Sequence, residues 1–247
     1  MIGIFDSGIG GVTVFREILK ELPHYSYLYY SDSKNNPYGD KSQKELFQFT
    51  ENVVDYLVRQ GCQIIVIACN TASAICKDYL RSKFDVPILA IEPAYKMVND
   101  TNPRGKTLIL ATKGTIESQK FRELYQKYDN HHTSIYERVG LADLIEQNKQ
   151  EEIEEYLKKH LSKFRGVENV VLGCTHYPLI QDQLRGLLGD VQFFDGSRGV
   201  VEELKRVIAS CSFAPTKLSI TFVDSTHQKL KKRRFWELLE QSKNSIF

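Results

Sequence analysis

Two cysteines sit in matching settings: Cys69 in "IIVIACNTAS" and Cys174 in "NVVLGCTHYP". Each ends an apolar run, and each is followed at once by polar side chains, Asn70-Thr71 in one case and Thr175-His176 in the other. A buried cysteine ordinarily behaves as a small hydrophobe and needs no polar company. Taken alone, Cys69 reads as a packed core thiol; its match with Cys174 turns the pair toward chemistry. An unperturbed thiol titrates at roughly pH 8.5, close enough to neutrality to serve as base or acid. Two thiols on opposite sides of one small anion suit the inversion of a stereocentre. One removes a proton from one face, the other delivers a proton to the opposite face, and the roles exchange in the reverse direction. Asn70-Thr71 and Thr175-His176 would supply donors to that anion. Asp6-Ser7, in "IGIFDSGIGG", would share the site. Asp6 is placed to take a proton from Cys69, and His176 to do the same for Cys174.

The elements that must position these groups alternate between strand and helix. Strands are expected at "IGIF" (2–5), "YSYLYY" (25–30), "IIVIA" (64–68) and "VPILAIEP" (86–93). Between them lie the amphipathic runs "VTVFREILKEL", "KELFQFTENVVDYLVRQG" (44–61) and "SAICKDYLRSKF". Gly61 reads as a helix stop. "IIVIA" is apolar throughout, as in a parallel strand covered on both faces. The pattern then restarts. "TLILATKGT" (107–115) is a strand and a polar turn, followed by the helix "ESQKFRELYQKY" and the strand "TSIYERV". Next come a helix closed by Gly166, the strand running to Cys174, and "VQFFDGS". From Asp6 to Cys69 is 63 positions, and from Thr112 to Cys174 is 62. Order and spacing therefore predict two similar α/β lobes, each a mostly parallel sheet flanked by helices. Residues 1–95 with 212–247 are expected to form the first lobe, and 96–211 the second. The segment from Ser212 holds one strand ("KLSITFV") and a basic helix ("HQKLKKRRFWELLEQS") that packs back on the first lobe. In open parallel sheets, functional groups gather beyond the carboxyl ends of the strands. Cys69 and Cys174 both lie there, so the site is expected in the cleft between the lobes.

Composition narrows the classes. The chain has 247 residues, 42% of them hydrophobic, and a net charge of +2 with acids and bases mixed. That balance demands neither nucleic acid nor an anionic membrane as partner. The start, "MIGIFDSGIGG", lacks a basic region and a long apolar segment, so no signal peptide is expected. No apolar window approaches the roughly 18 residues of a membrane span. Five cysteines, an odd number, read as reduced thiols rather than a disulfide framework. Cys62, Cys76 and Cys211 have no polar setting and read as structural. Their spacing with Cys69 is not that of a metal site.

Other chemistries fit less well. "DSGIGGVT" follows a strand and opens a helix, but Thr13 stands where a dinucleotide-binding loop has its third glycine. A thiol hydrolase needs one nucleophile and one base, and leaves the second thiol unexplained. A non-catalytic two-lobed amino-acid-binding protein needs the donors but not the paired thiols. By default Asp6 would be a helix cap, Tyr38 a turn aromatic, Glu146 a solvated helix charge, His176 a structural histidine and "KLKKRRFW" a solvated helix face.

The segments "IGIFDSGIGG", "NNPYG", "VIACNTAS", "IEP", "ATKGTI" and "VLGCTHYPL", in order over residues 1–200, resemble the glutamate racemases of the aspartate/glutamate racemase superfamily. The resemblance implies a pseudo-symmetric two-lobed α/β fold and interconversion of L- and D-glutamate by two thiols, with no cofactor and no metal. It also implies a bacterial cytoplasmic enzyme, usually a homodimer, that supplies D-glutamate for peptidoglycan. Carried over by residue, Cys69 and Cys174 would be the acid/bases, assisted by Asp6, His176 and Glu146. Ser7, Tyr38, Gly39, Asn70, Thr71, Thr175 and His176 would bind substrate with Asp6, and Thr112 and Thr115 would add donors. "CTH" is similar to the glutamate enzymes, where aspartate racemases more often have "CTE"; aspartate or a broader amino-acid range is the alternative. Two departures stand out. The arginine usual before Pro-Tyr-Gly is absent from Ser31–Asn36, and "VGLADLIEQN" lacks its usual proline.

Overall fold

Short apolar runs separated by amphipathic helices resolve into two sheets, all of whose strand pairs are parallel. The computed structural model describes residues 1–137 and 140–241. The first lobe begins with β1 (Ile2–Asp6), α1 (Val12–Glu21), β2 (Ser26–Ser31), α2 (Gln43–Arg59), β3 (Ile64–Ile67), α3 (Asn70–Lys83) and β4 (Ile88–Ala90). The second holds α4 (Tyr95–Thr101), β5 (Thr107–Ala111), α5 (Lys113–Ile116), α6 (Gln119–Tyr128) and β6 (Thr133–Glu137). It continues with α7 (Leu141–Glu146), α8 (Gln150–Leu161), β7 (Asn169–Gly173), α9 (Gln181–Leu188) and β8 (Gln192–Phe194). The chain then runs through α10 (Ser197–Ser210), β9 (Ser219–Asp224) and α11 (Lys229–Glu240). The expected strand 133–139 ends in two positions, 138 and 139, that lie outside the described residues, as does position 242 of the last helix. Among the described residues no helix is long and apolar enough to cross a membrane.

The sheet orders are β4-β3-β1-β2-β9 and β6-β5-β7-β8. Read outward, β4-β3-β1-β2 has the same order as β8-β7-β5-β6, which is the internal repeat anticipated from spacing. Each central strand buries both faces. Ile64 and Val66 of β3 enter one core cluster, while Ile65 and Ile67 enter another. In β7, Val170 and Leu172 join one cluster and Val171 the opposite one. A strand buried on both sides has no solvent face to mark with polar residues, so it reads as a continuous apolar run. Each such aliphatic side chain contributes roughly 1.5–3 kcal/mol through burial.

Several boundaries move. Helix α3 starts at Asn70, so Asn70 and Thr71 are its first turn and Cys69 its N-cap. The polar turn after β5 is the short helix α5, with Thr112 as N-cap accepting from the Thr115 amide. Strand β4 covers only three residues of the expected 86–93. Helix α2 is opened by a capping box between Ser42 and Glu45, and Gly61 follows its C-terminal end at φ +85°.

The C-terminal segment packs on the strands and helices of residues 2–31. Strand β9 pairs with β2, and Phe235 of α11 stacks on Phe222 at 4.3 Å between centroids and on Phe15 at 6.3 Å. Residues 197–210, expected in the second lobe, also pack on the first. Val200, Val201, Leu204 and Ile208 of α10 join the cluster of Ile2, Val12 and Phe15. The apolar face of α10 therefore covers the first sheet, although the helix lies within the stretch 96–211 expected in the second lobe.

Candidate active site

The thiols follow adjacent central strands in each lobe. Phe5 pairs with Ile67 and Ala111 with Gly173, so Asp6, Cys69, Thr112 and Cys174 all emerge at carboxyl strand ends. Cys69 and Cys174 are 5% and 7% exposed. Both line one small cleft, of only ≈ 20 Å³, with Ser7, Tyr38, Gly39, Asn70, Thr71, Thr112, Thr175 and His176. Asn36, Pro37 and Ala142 complete its wall. Asp6, Glu146 and Thr115 stand behind this lining rather than in it. A larger open groove, ≈ 1120 Å³, runs past Gly39 and Gly114, but it is lined by surface Lys, Asp and Glu and holds neither thiol.

On the first-lobe side, Cys69 donates to Ser7 Oγ at 3.6 Å. Asp6, the expected proton acceptor, is engaged elsewhere. Its Oδ2 accepts from the amides of Gly8 (3.2 Å) and Gly11 (3.0 Å), and its Oδ1 from Thr175 Oγ1 (3.3 Å). Asp6 therefore fixes the glycine loop and reaches Thr175 of the other lobe, acting on Cys69 through its charge. Burial pushes the Cys69 thiol well up, and Asp6 pushes it further; the Ala72 amide and Ser7 oppose this. Burial also raises Asp6, against His176 and the Gly11 and Gly8 amides.

On the second-lobe side, His176 Nδ1 lies 3.8 Å from Cys174 Sγ, and its Nε2 lies 2.7 Å from Glu146 Oε2. Burial works against charging this imidazole. Its partners Cys174 and Glu146 outweigh burial and raise it well above the usual histidine range. Glu146 is held down to about 2: burial would raise it, but the His176 hydrogen bond and charge, Lys231 and the Ile9 amide prevail. Glu146 thus orients His176 and does not approach a thiol itself. A His176 that is protonated faces the Cys174 sulfur as a donor, the arrangement that favours thiolate chemistry.

The glycines of "DSGIGG" have their explanation here. A Cβ on Gly10 would stand 2.5 Å from His176 Nδ1, and one on Gly8 would stand 2.4 Å from Glu146 Oε2. The loop lies flush against the other lobe's histidine and glutamate, and the Ile9 amide donates to Glu146 Oε2 at 3.0 Å.

The donors form two sets. Asn70 is 3% exposed, yet its Oδ1 and Nδ2 have no hydrogen-bond partner among the described residues. Buried polar groups are ordinarily hydrogen-bonded, so this amide on the cleft wall stands out. Thr71, Thr112 and Thr115 form a hydroxyl chain across the lobes, at 2.9 Å and 3.0 Å. The Tyr38 hydroxyl donates to Asp32 Oδ2 at 2.6 Å. Asn35 takes the place of the missing arginine and donates to both oxygens of Asp32, at 3.1 Å and 2.9 Å. Among the described residues no group of three or more His, Cys, Asp or Glu side chains is gathered as for a metal ion.

A model of the family described as Asp/Glu/Hydantoin racemase matches residues 2–204. Glutamate racemase of Clostridium perfringens (strain SM101 / Type A) is 40% identical over 212 residues, covering 83% of this chain and 82% of the relative. The glutamate racemase of Clostridium botulinum (strain Alaska E43 / Type E3) is 38% identical over 254 residues, 98% of this chain and 97% of the relative. Among solved structures, Escherichia coli glutamate racemase in complex with L-glutamate and the activator UDP-MurNAc-Ala superposes with a TM-score of 0.85. It is 26% identical, over 97% of this chain and 94% of that one.

Proposed function

This chain belongs to the Asp/Glu/Hydantoin racemase family, and from that premise we propose that it is an isomerase interconverting L- and D-glutamate through two thiols. The observation that carries the reading is the placement of Cys69 and Cys174 at equivalent strand ends, lining one cleft. The relatives at about 40% identity over most of the chain are glutamate racemases, which favours glutamate over aspartate.

In this reading Cys174, anionic beside the His176 imidazolium, takes the α-proton of L-glutamate. The carbanion so formed is stabilised through its α-carboxylate by Asn70, Thr71 and the amides at the start of α3, a helix end that attracts anions. Cys69, kept neutral by burial and by Asp6, delivers its proton to the opposite face and yields D-glutamate. The enzyme is left with a Cys174 thiol and a Cys69 thiolate, which is the form that acts on D-glutamate. This assignment of faces follows the family resemblance. The same resemblance supports a cofactor-independent homodimer in the cytoplasm that supplies D-glutamate to peptidoglycan. Cells lacking it should then need D-glutamate to grow, and the purified protein should sediment at twice the chain mass.

The test uses metal-free and pyridoxal-free protein in deuterated water, with circular dichroism following each enantiomer of glutamate and of aspartate. Glutamate should lose its optical signal from either side, with deuterium entering the product enantiomer while the remaining starting enantiomer stays largely unlabelled early on. Equal early labelling of both enantiomers would indicate a single base. Absence of glutamate turnover, or faster turnover of aspartate, would overturn the substrate.

A further inference from the structure

A third group reaches the Glu146–His176 pair from a helix that lies beyond the residues matched by the family model. Lys231 of α11 donates to Glu146 Oε1 at 3.0 Å. Three residues on, Arg234 donates to Asn148 Oδ1 at 2.6 Å. Spacing of three places both on one face of α11, while Lys229, Lys232 and Arg233 are exposed. The basic run "KLKKRRFW" is therefore divided between a solvated face and a clasp. That clasp joins two lobes. Helix α11 is anchored to the first lobe through Phe235, 0% exposed and packed on Phe15, Tyr29 and Phe222. Glu146 and Asn148 lie at the end of α7 in the second.

The carboxylate of Glu146 is fully assigned. Its Oε2 accepts from the Ile9 amide and His176, and its Oε1 from Lys231. With the Glu146 side chain 5% exposed, little water is at hand to replace a lost donor. A buried carboxylate stripped of a charged donor reorients or takes up a proton. Either response loosens its hold on Nε2 of His176, whose Nδ1 faces Cys174. Among the described residues no such chain links Lys231 to Cys69, whose thiol bonds to Ser7.

We propose that Lys231 is a positioning residue: it fixes the Glu146 carboxylate that orients His176 against Cys174, so the C-terminal helix governs the Cys174 half of the proton transfer. This rests on the racemase reading above.

The experiment compares full-length wild type, Lys231→Met and Lys231→Arg. It measures kcat in both directions and the rates at which iodoacetamide alkylates Cys174 and Cys69, resolved by peptide mass. Lys231→Met should lower the L-to-D kcat about threefold to tenfold more than the D-to-L kcat, the scale of one charge-assisted hydrogen bond lost at one remove. It should slow alkylation of Cys174 but not of Cys69. Lys231→Arg should restore both properties. Equal fractional losses in the two directions, unchanged Cys174 alkylation in Lys231→Met, or an arginine variant as impaired as the methionine one would each overturn the assignment. If wild type fails to racemise glutamate, the functional reading falls, while the alkylation rates still judge Lys231.

Discussion

Glu146 Oε2 and His176 Nε2 stand 2.7 Å apart, with side chains only 5% and 3% exposed. An acid held low and an imidazole held high face each other with little water between them. The pair belongs to the second lobe, yet the Ile9 amide and Lys231 bind it from the first. The inter-lobe contact and the chemistry at Cys174 are thus one network.

Both thiols should be required in both directions. Cys69→Ala and Cys174→Ala should each abolish racemisation, followed by circular dichroism of glutamate, with melting temperatures close to wild type. Full activity in either folded variant removes the two-thiol mechanism.

The two halves should respond differently to their helpers. His176→Asn should depress the L-to-D kcat on the order of tenfold or more beyond its effect on D-to-L, within the range of general acid–base effects. Asp6→Asn should show the opposite bias. Because the enantiomers have equal free energy in water, KM must shift with kcat to keep the equilibrium near one. Initial rates in both directions decide the matter; identical fractional losses would leave both residues as general structural groups.

Stability should carry the signature of the buried pair. Glu146 is depressed to about 2, so its contribution is present above the ordinary carboxylate range and is lost as pH falls toward 2. His176 is raised, so its contribution is fully present below the ordinary histidine range and is lost as pH climbs through its raised value. The pair should therefore stabilise most between roughly pH 4.5 and 6.5, and remain intact some way above. Glu146→Gln should cost about 3–5 kcal/mol near neutrality and flatten the acid limb of melting temperature against pH. A Glu146→Gln profile parallel to wild type contradicts this.

Gly10→Ala should impair catalysis by displacing His176, since the new Cβ would lie 2.5 Å from Nδ1 of a ring held on its other edge by Glu146. Gly186→Ala in α9 is the control: a Cβ there meets nothing within 4 Å. It should leave kcat unchanged and stabilise by roughly 0.5–1 kcal/mol through helix propensity. Wild-type kcat in Gly10→Ala would show that the loop can retreat from the histidine.

Asn70→Ala should raise the KM for glutamate by about tenfold to a hundredfold, the equivalent of a hydrogen bond to a charged group. Its melting temperature should hardly change, because the amide has no partner to lose among the described residues. A large drop in melting temperature with unchanged KM would make Asn70 structural.

Legibility followed the range of the interaction. The central strands were readable because burial on both faces demands an unbroken apolar run, as in Ile64–Ile67. Where such a run stops, the strand stops, so Cys69 and Cys174 were placed at strand ends by local pattern alone. Their matched spacing disclosed the repeat. The start of α3 was less legible, because Asn70 and Thr71 are polar and suit a turn as well as a helix N-terminus. The gathering of Asp6, Cys69, Thr112 and Cys174 at carboxyl strand ends then followed from the parallel order.

The sequence by itself determined the two α/β repeats, their central strands and the two thiols with polar followers. Only the tertiary structure decided which groups meet: Ser7 on Cys69, Glu146 on His176, α10 on the first sheet and Lys231 on Glu146. The physical reason is that hydrophobic periodicity reports which side of an element is buried, not what it is buried against. The Ile9–Glu146 bond spans 137 positions and the Lys231–Glu146 bond 85. No local pattern encodes such partners; they are selected when two separately readable lobes close on each other and every buried charge must find its counterpart.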